Sequence, residues 1–598
     1  MIRIAMATVL LGTSLVAGQA AAAPVITVSD GVRYQAIDGF GVSTAFRRGE
    51  LLRNLSAAQQ NDVFRLWFDR ATGAGLSILR LGIGASPAGA PYDKMISIQP
   101  QNPGGPDAAP RYVWDGDDGA QVWVAKAAQS YGVKRFYADA WSAPGYMKDN
   151  NSENNGGNLR SEWRAAYARY LVQFTKFYAQ EGVPITDLGF TNEPDYTATY
   201  ESMRFTPAQA AAFVKILGPL ATDVKLACCD AFGWDQAKSY SNAIEADAEA
   251  RRWVTTYTGH TYASQITSPQ PGSKRAWMSE WTPDGSTWNE NWDDGSGNDG
   301  FAIAQAVHQA LTVGNVSAYV YWLGGSQGTT RALIQIDPSA RTYRVSKRLW
   351  AMAAYSRFIR PDAVRIGATS SNSALRASAF LNADGSKVVT VLNTGNSAVA
   401  YDSLPPGTTA YVTDNANSMT PATITGGVVS LRPRSLTTVV MGGEPTPTPT
   451  PTVTPTVTPT VTPTVTPTPT VTPATTFRLR NEGAGRCVDS PNSASANGTQ
   501  LQIYDCHTNP NQRFTYTSAS QLQILGKCLD SPTNAGSGTR VQLYDCHTNA
   551  NQRWTFNSNG TVTTPANNLC LNVTGTGNTS GVTVATCNGS ANQRWTRA

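Results

Sequence analysis

Two short stretches place a carboxyl group at the end of an apolar run. One reads Asn192-Glu193-Pro194-Asp195 and closes the run that starts at Ile185; the other reads Ser279-Glu280-Trp281 and closes the run from Ala276. Paired carboxyls beside aromatic residues suit glycosidic-bond hydrolysis, in which one protonates the leaving oxygen and the other attacks the anomeric carbon. Asn192 adjoins the first carboxyl and is placed to bond a sugar 2-hydroxyl. Asp195 is the rival acid, but just past Pro194 it is assigned to orienting the loop. Arg80 ends another apolar run, where its charge favours an ionised Glu280. Tyr262 and His260 end a further run and are placed to bond the attacking carboxylate. Trp141 and Trp322 are candidate sugar platforms, whereas His308 has the spacing of a mid-helix structural residue.

These groups need a scaffold that gathers them. Eight apolar runs are strand candidates: Ile37–Gly41, Leu76–Ile83, Val133–Trp141, Ile185–Asn192, Val224–Cys229, Thr255–Tyr262, Ala276–Glu280 and Val316–Trp322. Helically spaced stretches such as Ser161–Gln180, Pro207–Leu217 and Phe301–Val313 alternate with them. That order predicts a parallel α/β sheet, and eight units suit a (β/α)8 TIM barrel with its site at the C-terminal strand ends. No G-x-G-x-x-G follows the first run, which disfavours a doubly wound open sheet. From 361 to 443 the pattern becomes short alternating strands, among them Lys387–Leu392 and Ser435–Val440, and predicts a side β-sandwich.

The 598 residues carry 47 Lys+Arg against 42 Asp+Glu, a net charge of +5, with 15% charged and 41% hydrophobic residues. This excludes a disordered or coiled-coil chain, and gives no reason to expect a nucleic-acid partner. Residues 1–23 have one early Arg, a short apolar run and Ala-rich A-x-A spacing, the marks of a secretory signal peptide. Past it, no apolar stretch is long enough to span a membrane. The expectation is a secreted, extracellular monomer. Of eight cysteines, Cys228 and Cys229 are adjacent, in a vicinal disulfide or as two buried thiols. The other six lie near the C-terminus as Cys487/Cys506, Cys528/Cys546 and Cys570/Cys587. Spacing alone does not fix their connectivity. No Cys or His spacing suggests zinc, and neither a metal nor a cofactor is expected.

Residues 444–476 alternate Pro with Thr and Val, which excludes helix and central strand and predicts an extended spacer. Beyond it, 477–598 repeats three times. Gln512-Arg513-Phe514, Gln552-Arg553-Trp554 and Gln593-Arg594-Trp595 mark one phase of the repeat, and Cys487, Cys528 and Cys570 another. The repeat favours one bridge per copy and a closed threefold all-β unit. The block resembles the ricin-type β-trefoil, a carbohydrate-binding module of family 13. That resemblance implies sugar sites at Asp489, Tyr504, His507 and Asn511, and at Asp530, Tyr544, His547 and Asn551. In the third copy Asn572 and Ala585 replace the Asp and the Tyr, so two working sites and one degenerate site are expected. The Gln-x-Trp elements themselves are expected to be core.

The large N-terminal part also carries a family's motifs. Asp38-Gly39-Phe40-Gly41, Ala138-Asp139-Ala140-Trp141-Ser142-Ala143-Pro144, Leu188 through Asp195, and Cys228-Cys229-Asp230 resemble glycoside hydrolase family 30, in its fungal-like xylanase and glucuronoxylanase branch. The resemblance covers roughly 25–443. It implies a barrel over 24–360 whose N-terminal strand joins the sandwich. It also implies a retaining mechanism, with Glu193 as acid/base, Glu280 as nucleophile, and a carboxyl separation of about 5–5.5 Å. Plant cell-wall xylan, in particular glucuronoxylan, is the expected substrate. An acidic branch calls for an Arg. The arginine pair that the better-known bacterial branch carries after the eighth strand is missing from Trp322-Leu323-Gly324-Gly325-Ser326-Gln327. The fungal-like resemblance points instead to Arg48, with Arg47 second. A β-1,6-galactanase, a glucosylceramidase-like enzyme of the same family, and a sugar-binding adhesin with an inactive barrel are the alternatives.

Overall fold

A computed structural model of the chain describes residues 25–283, 287–442 and 476–597, except Thr508, Ser518, Ala519, Thr533, Asn534, Thr548 and Ser558. The signal expected at 1–23 and all but the last residue of the Pro/Thr stretch at 444–476 lie outside the described residues. The chain divides into two compact units, with the break inside that stretch.

The N-terminal unit opens with β1 (Ile26–Ala36). A closed parallel barrel follows, made of β2 (Gly39–Ser43), β3 (Ile78–Ile83), β4 (Arg135–Ala140), β5 (Asp187–Leu188), β6 (Lys225–Ala231), β7 (Val254–His260), β8 (Arg275–Glu280) and β9 (Ala318–Tyr321). Each of the eight expected runs contributes one strand. β2 closes the ring by pairing with both β3 and β9. The strands are buried on both faces, which is why they read as continuous apolar runs rather than alternating ones. At the N-terminal mouth Asp38 accepts from Arg135, Arg275 and the Trp277 indole, fastening β2 to its neighbours. Ile78, Tyr137, Ala227, Trp277, Ala318 and Val320 fill the interior.

The helices lie as expected, with an α-helix over Arg164–Gln180, entered through a 3-10 turn at Ser161–Trp163, and others over Pro207–Leu217 and Gly300–Thr312. Pro207 starts its helix where an N–H would be unpaired anyway, and Thr206 caps it through the Gln209 N–H. The largest difference from expectation is β5. Its ladder stops at Leu188, whereas the apolar run continues to Asn192. At Gly189 an added Cβ would stand 2.2 Å from the Asp139 carboxylate, and Glu193 holds a φ of 48°. The chain therefore leaves the sheet early and turns Asn192 and Glu193 into the mouth.

β1 does not enter the barrel. It pairs antiparallel with Val364–Ser370, extending a sheet that runs on through Leu375–Leu381, Lys387–Asn393, Ser435–Met441 and Thr409–Thr413. A three-stranded sheet of Val399–Tyr401, Val428–Leu431 and Ile424–Thr425 makes the second layer. Ile26, Ile366, Val389, Val391, Val429 and Val439 are part of the core between them.

The C-terminal unit is all-β, with short 3-10 turns. In its three copies Cys487 pairs across the ladder with Tyr504, Cys528 with Tyr544, and Cys570 with Ala585, a threefold register that matches the sequence repeat. Disulfides join Cys487 to Cys506, Cys528 to Cys546 and Cys570 to Cys587, one per copy as the repeat favoured. Trp554 and Trp595 are buried, with their indoles on Leu529 O and Leu571 O, and Gln512, Gln552 and Gln593 are buried beside them. The Gln-x-aromatic elements are core.

Candidate active site

The C-terminal ends of the barrel strands bring six charged side chains together. Arg80, from the middle of β3, is fully buried. One guanidinium nitrogen donates to Glu280; the other reaches Asp139 (2.8 Å), Asn192 Oδ1 (2.6 Å) and Asp230 (3.4 Å). Its charge also sits over the Trp141 ring, 4.6 Å from the centroid. Tyr262 donates to the other Glu280 oxygen (3.1 Å) and Tyr200 donates to Glu193 (3.2 Å). With Asn192 Oδ1 held by Arg80, its amide N–H groups remain as donors.

His260 departs from expectation. It bridges Glu193 (Nδ1, 3.1 Å) and Asp230 (Nε2, 3.3 Å) and does not hydrogen-bond Glu280. The register between β7 and β8 slips between Gly259 and His260, so simple alternation along the strand misjudges which way the ring turns. Tyr262 alone of the two meets Glu280.

The charges balance in an ordered way. Burial would lower the His260 pKa, but the Glu280 charge and the bonds to Asp230 and Glu193 outweigh it and push it up to about 10. Burial works against ionised Asp230 as well, yet the His260 hydrogen bond and Arg80 hold its carboxyl below the usual range. Asp139 goes the other way: burial and the Asp230 charge raise it well above that range. Burial raises Glu280, and the cations of His260 and Arg80 limit the rise. Two cations, Arg80 and His260, thus face Asp230, whose charge they favour, while burial works against the charge on Asp139 and Glu280. His260 is charged at neutral pH, so its contribution to stability is complete below about pH 6.5 and fades as pH rises toward 10. A thermal unfolding series from pH 7 to 11 should show the midpoint falling across that window, with a flatter profile in His260→Gln.

One carboxylate oxygen each from Glu193 and Glu280 and one His260 nitrogen lie within 4.8 Å of one another. The three have the composition of a metal triad, but an imidazolium with both nitrogens donating offers no lone pair. So close an approach of one oxygen from each carboxyl is compatible with direct attack on a sugar carbon.

Around the pair, Trp141 and Trp322 pack at 5.6 Å between centroids, and Phe46 meets both edge-on. Trp141 is buried beneath Arg80, while Trp322 is half-buried beside it. Arg47 pairs with Glu50 (2.8 Å) beside a cavity of about 280 Å³. Arg48 is half-buried against Tyr92 and, among the described residues, has no carboxylate partner. Asp195 accepts from the Phe232 N–H (2.9 Å), the loop-orienting part expected of it. His308 is a half-buried helical residue whose pKa desolvation lowers to about 4. Cys228 and Cys229 are joined as a vicinal disulfide.

Sequence reasoning did not single out Asp139, Asp230, Tyr137 or Tyr200. Tyr137 donates to Asp230, and Thr258 supports the same carboxylate at 2.7 Å. The available signal was an acid within an otherwise apolar run at each of two strand ends. Tyr200 lies in a loop and gave none; it is held in place by its neighbour Glu201, which accepts from Ser86 (2.6 Å) and the Met95 N–H (3.1 Å).

A structure titled as the catalytic domain of a family-30 xylanase C from Talaromyces cellulolyticus is 40% identical to this chain, which spans 99% of that domain with 70% of its own length at a TM-score of 0.65. The chain belongs to glycoside hydrolase family 30. Family models agree, with the O-glycosyl hydrolase family 30 matching 24–252 and the family 30 β-sandwich domain matching 362–439. A ricin-type β-trefoil lectin domain matches 475–595. The glucuronoxylanase XynC of Bacillus subtilis is 26% identical over 329 residues, 49% of this chain and 73% of that protein. An endo-1,6-β-D-glucanase of Trichoderma harzianum is 25% identical over 421 residues, 62% of this chain and 81% of that one. The family-30 enzyme is therefore a retaining glycoside hydrolase with an attached lectin-type domain.

In that lectin-type domain Asp489 is buried, taking bonds from Gln502, Asn511 and Gln512, with His507 alongside. A carboxylate has about four acceptor positions, so one is left. Asp530 is held the same way by Gln542, Asn551 and Gln552, beside His547. Asn511 and Asn551 spend their amide on this support. Tyr504 and Tyr544 are 39% and 41% exposed. In the third copy Asn572 bonds Thr583 and Asn592, and Ala585 stands where the ring would be.

Proposed function

We propose that this enzyme is a secreted xylanase that cleaves the β-1,4-linked backbone of glucuronoxylan by double displacement, Glu280 attacking and Glu193 serving as acid then base. The 40% identity to a xylanase over nearly that whole domain carries the reading, and the close approach of the two glutamates supports retention. In the first step Glu280 bonds the anomeric carbon as Glu193 protonates the leaving oxygen. In the second, Glu193 takes a proton from water, and that water releases the sugar. Asn192 donates to the 2-hydroxyl, Trp322 faces the sugar ring, Trp141, expected as a second platform but buried under Arg80, backs it, and Arg48 reads the acidic branch. Arg47, already paired with Glu50, is the weaker choice for that role. The working unit is a monomer acting on insoluble plant wall without metal or cofactor, its trefoil holding the substrate through two sites. The proposed boundaries are 24–360 for the barrel, 361–443 for the sandwich and 477–598 for the trefoil.

The test is product analysis on glucuronoxylan, undecorated xylan, β-1,6-glucan and β-1,6-galactan in parallel, with the anomer followed by NMR. Release of β-configured xylo-oligosaccharides from the first two is expected. Cleavage of a β-1,6-glucan alone would favour the reading that the Trichoderma relative suggests. Arg48→Ala should lower kcat/KM on glucuronoxylan about tenfold more than on undecorated xylan. For the trefoil, Tyr504→Ala and Tyr544→Ala should each weaken retention on insoluble xylan by about 2- to 10-fold, and the double variant should lose most of it. A pull-down series checks this.

A further inference from the structure

The loops after β5, β6 and β7 carry a second aromatic feature. Tyr262, on Glu280, stacks with Phe232 (centroids 5.3 Å apart, planes at 28°), and Phe232 stacks with Tyr196 (4.3 Å, 13°). The three rings lead outward from the nucleophile, and Tyr196, at 40% exposure, ends them in solvent. Beside it opens a hollow of about 480 Å³ whose lining includes Asp195, Arg204, Gln236, Ser239 and Tyr240. Asp195 joins the two features through its bond to the Phe232 N–H.

Two side chains in this hollow have unspent donors, whereas the Tyr240 hydroxyl already donates to Phe205 O at 2.7 Å. The Arg204 main chain is pinned by Gly157 O at 2.7 Å, but among the described residues its guanidinium makes no hydrogen bond or ion pair, and its charge reaches the Tyr240 hydroxyl. Gln236 Oε1 accepts from Ser264 at 2.7 Å, and among the described residues its amide N–H groups have no acceptor. A half-buried cation and an amide donor facing an open hollow fit a carboxylate, and a flat exposed ring fits the face of a pyranose.

We propose that the ring stack and this hollow form the leaving-group arm of the cleft, where Tyr196 supports a sugar of the departing chain and Arg204, with Gln236, grips an acidic branch on it. The inference rests on the xylanase reading above. Position supports it, since Glu193 protonates the departing oxygen and Tyr196 follows three residues later in the same loop. Arg48 lies two residues past Phe46, which packs on Trp141 and Trp322, so the two arginines would read different branches.

Mass-spectrometric mapping of glucuronoxylan products by the full-length enzyme tests this. In wild type, released fragments should often bear the uronic acid close to their new non-reducing end. Arg204→Gln should reduce that class about tenfold relative to fragments unbranched there, and Gln236→Ala should reduce it less. Tyr196→Ala should lower the ratio of kcat/KM on xylohexaose to that on an aryl xylobioside about fivefold, because the aryl group does not reach the ring. If wild type cuts xylan but the branch distribution is the same in Arg204→Gln and Gln236→Ala, the proposal is overturned and the xylanase reading stands. If wild type cuts no xylan, both fall.

Discussion

Glu280→Gln should lower turnover on the order of 10⁴-fold or more on every substrate, because no covalent glycosyl intermediate can form. Glu193→Gln should behave differently. On polysaccharide it loses about 10²- to 10⁴-fold, the usual worth of a positioned proton donor. On an aryl xylobioside with an acidic phenol the first step needs no protonation, so glycosyl-enzyme forms and then accumulates for want of a base. Stopped-time intact-mass spectrometry on both variants is the measurement. An adduct of one xylobiosyl group on Glu193→Gln and none on Glu280→Gln is expected, and the reverse pattern would exchange the two roles. The amide keeps the shape of each side chain, and each glutamate has a neighbouring hydroxyl, Tyr200 or Tyr262, that an amide oxygen also satisfies.

Arg80→Gln should be the most damaging single change outside the two glutamates. The guanidinium is buried, faces three carboxyl groups and holds the Asn192 side chain, so its loss leaves Glu280 and Asp230 with His260 as the remaining cation. Removing one partner from a buried charge cluster costs about 3–5 kcal/mol, and a lost electrostatic contact to the reacting carboxylate adds about 10²–10³ in kcat. The sign of the pH effect follows from the geometry. Arg80 limits the rise of the Glu280 pKa, so without it the acidic limb of the rate profile moves to higher pH. Arg80→Lys keeps the charge but has no planar fork to reach Glu280, Asp139 and Asn192 together. It should recover most of the stability and little of the rate. Denaturant unfolding and pH–rate profiles on the two variants separate these effects.

The scaffold was legible because each barrel strand is buried on both faces and bounded by loop residues, so eight apolar runs marked eight strands. The glutamates were legible for a related reason, as a charge that ends an apolar strand is conspicuous. Arg80 and Tyr262 followed from the same signal, and both meet Glu280. What lay beyond the sequence was the direction of side chains where the ladder is irregular. His260 sits at a register slip, and Glu193 follows an early exit from β5, so periodicity carries no information there. Asp139 and Asp230 stood inside quoted motifs, but their opposite pKa shifts depend on a shared neighbour, Arg80, that only the closed ring brings within reach. Tyr200 sits in a loop whose course is set by a buried carboxylate on the next residue. In the trefoil the repeat itself announced the cysteine pairing and the failed third site, while the use of Asn511 as a brace for Asp489 could be seen only once the turn had folded.

The pairing of β1 with Val364–Ser370 also bears on how this protein is made. The first strand to leave the ribosome finds its partner only after the whole barrel has been synthesised, since Ile26 meets Ser370. Until then it is an unpaired edge on a growing chain, a state prone to wrong association. Completion of the sandwich is thus a late, long-range step, and the same seam ties the beginning of the barrel to its end. A nascent chain arrested before residue 364 would carry all eight barrel strands and still lack the clasp that holds its first segment.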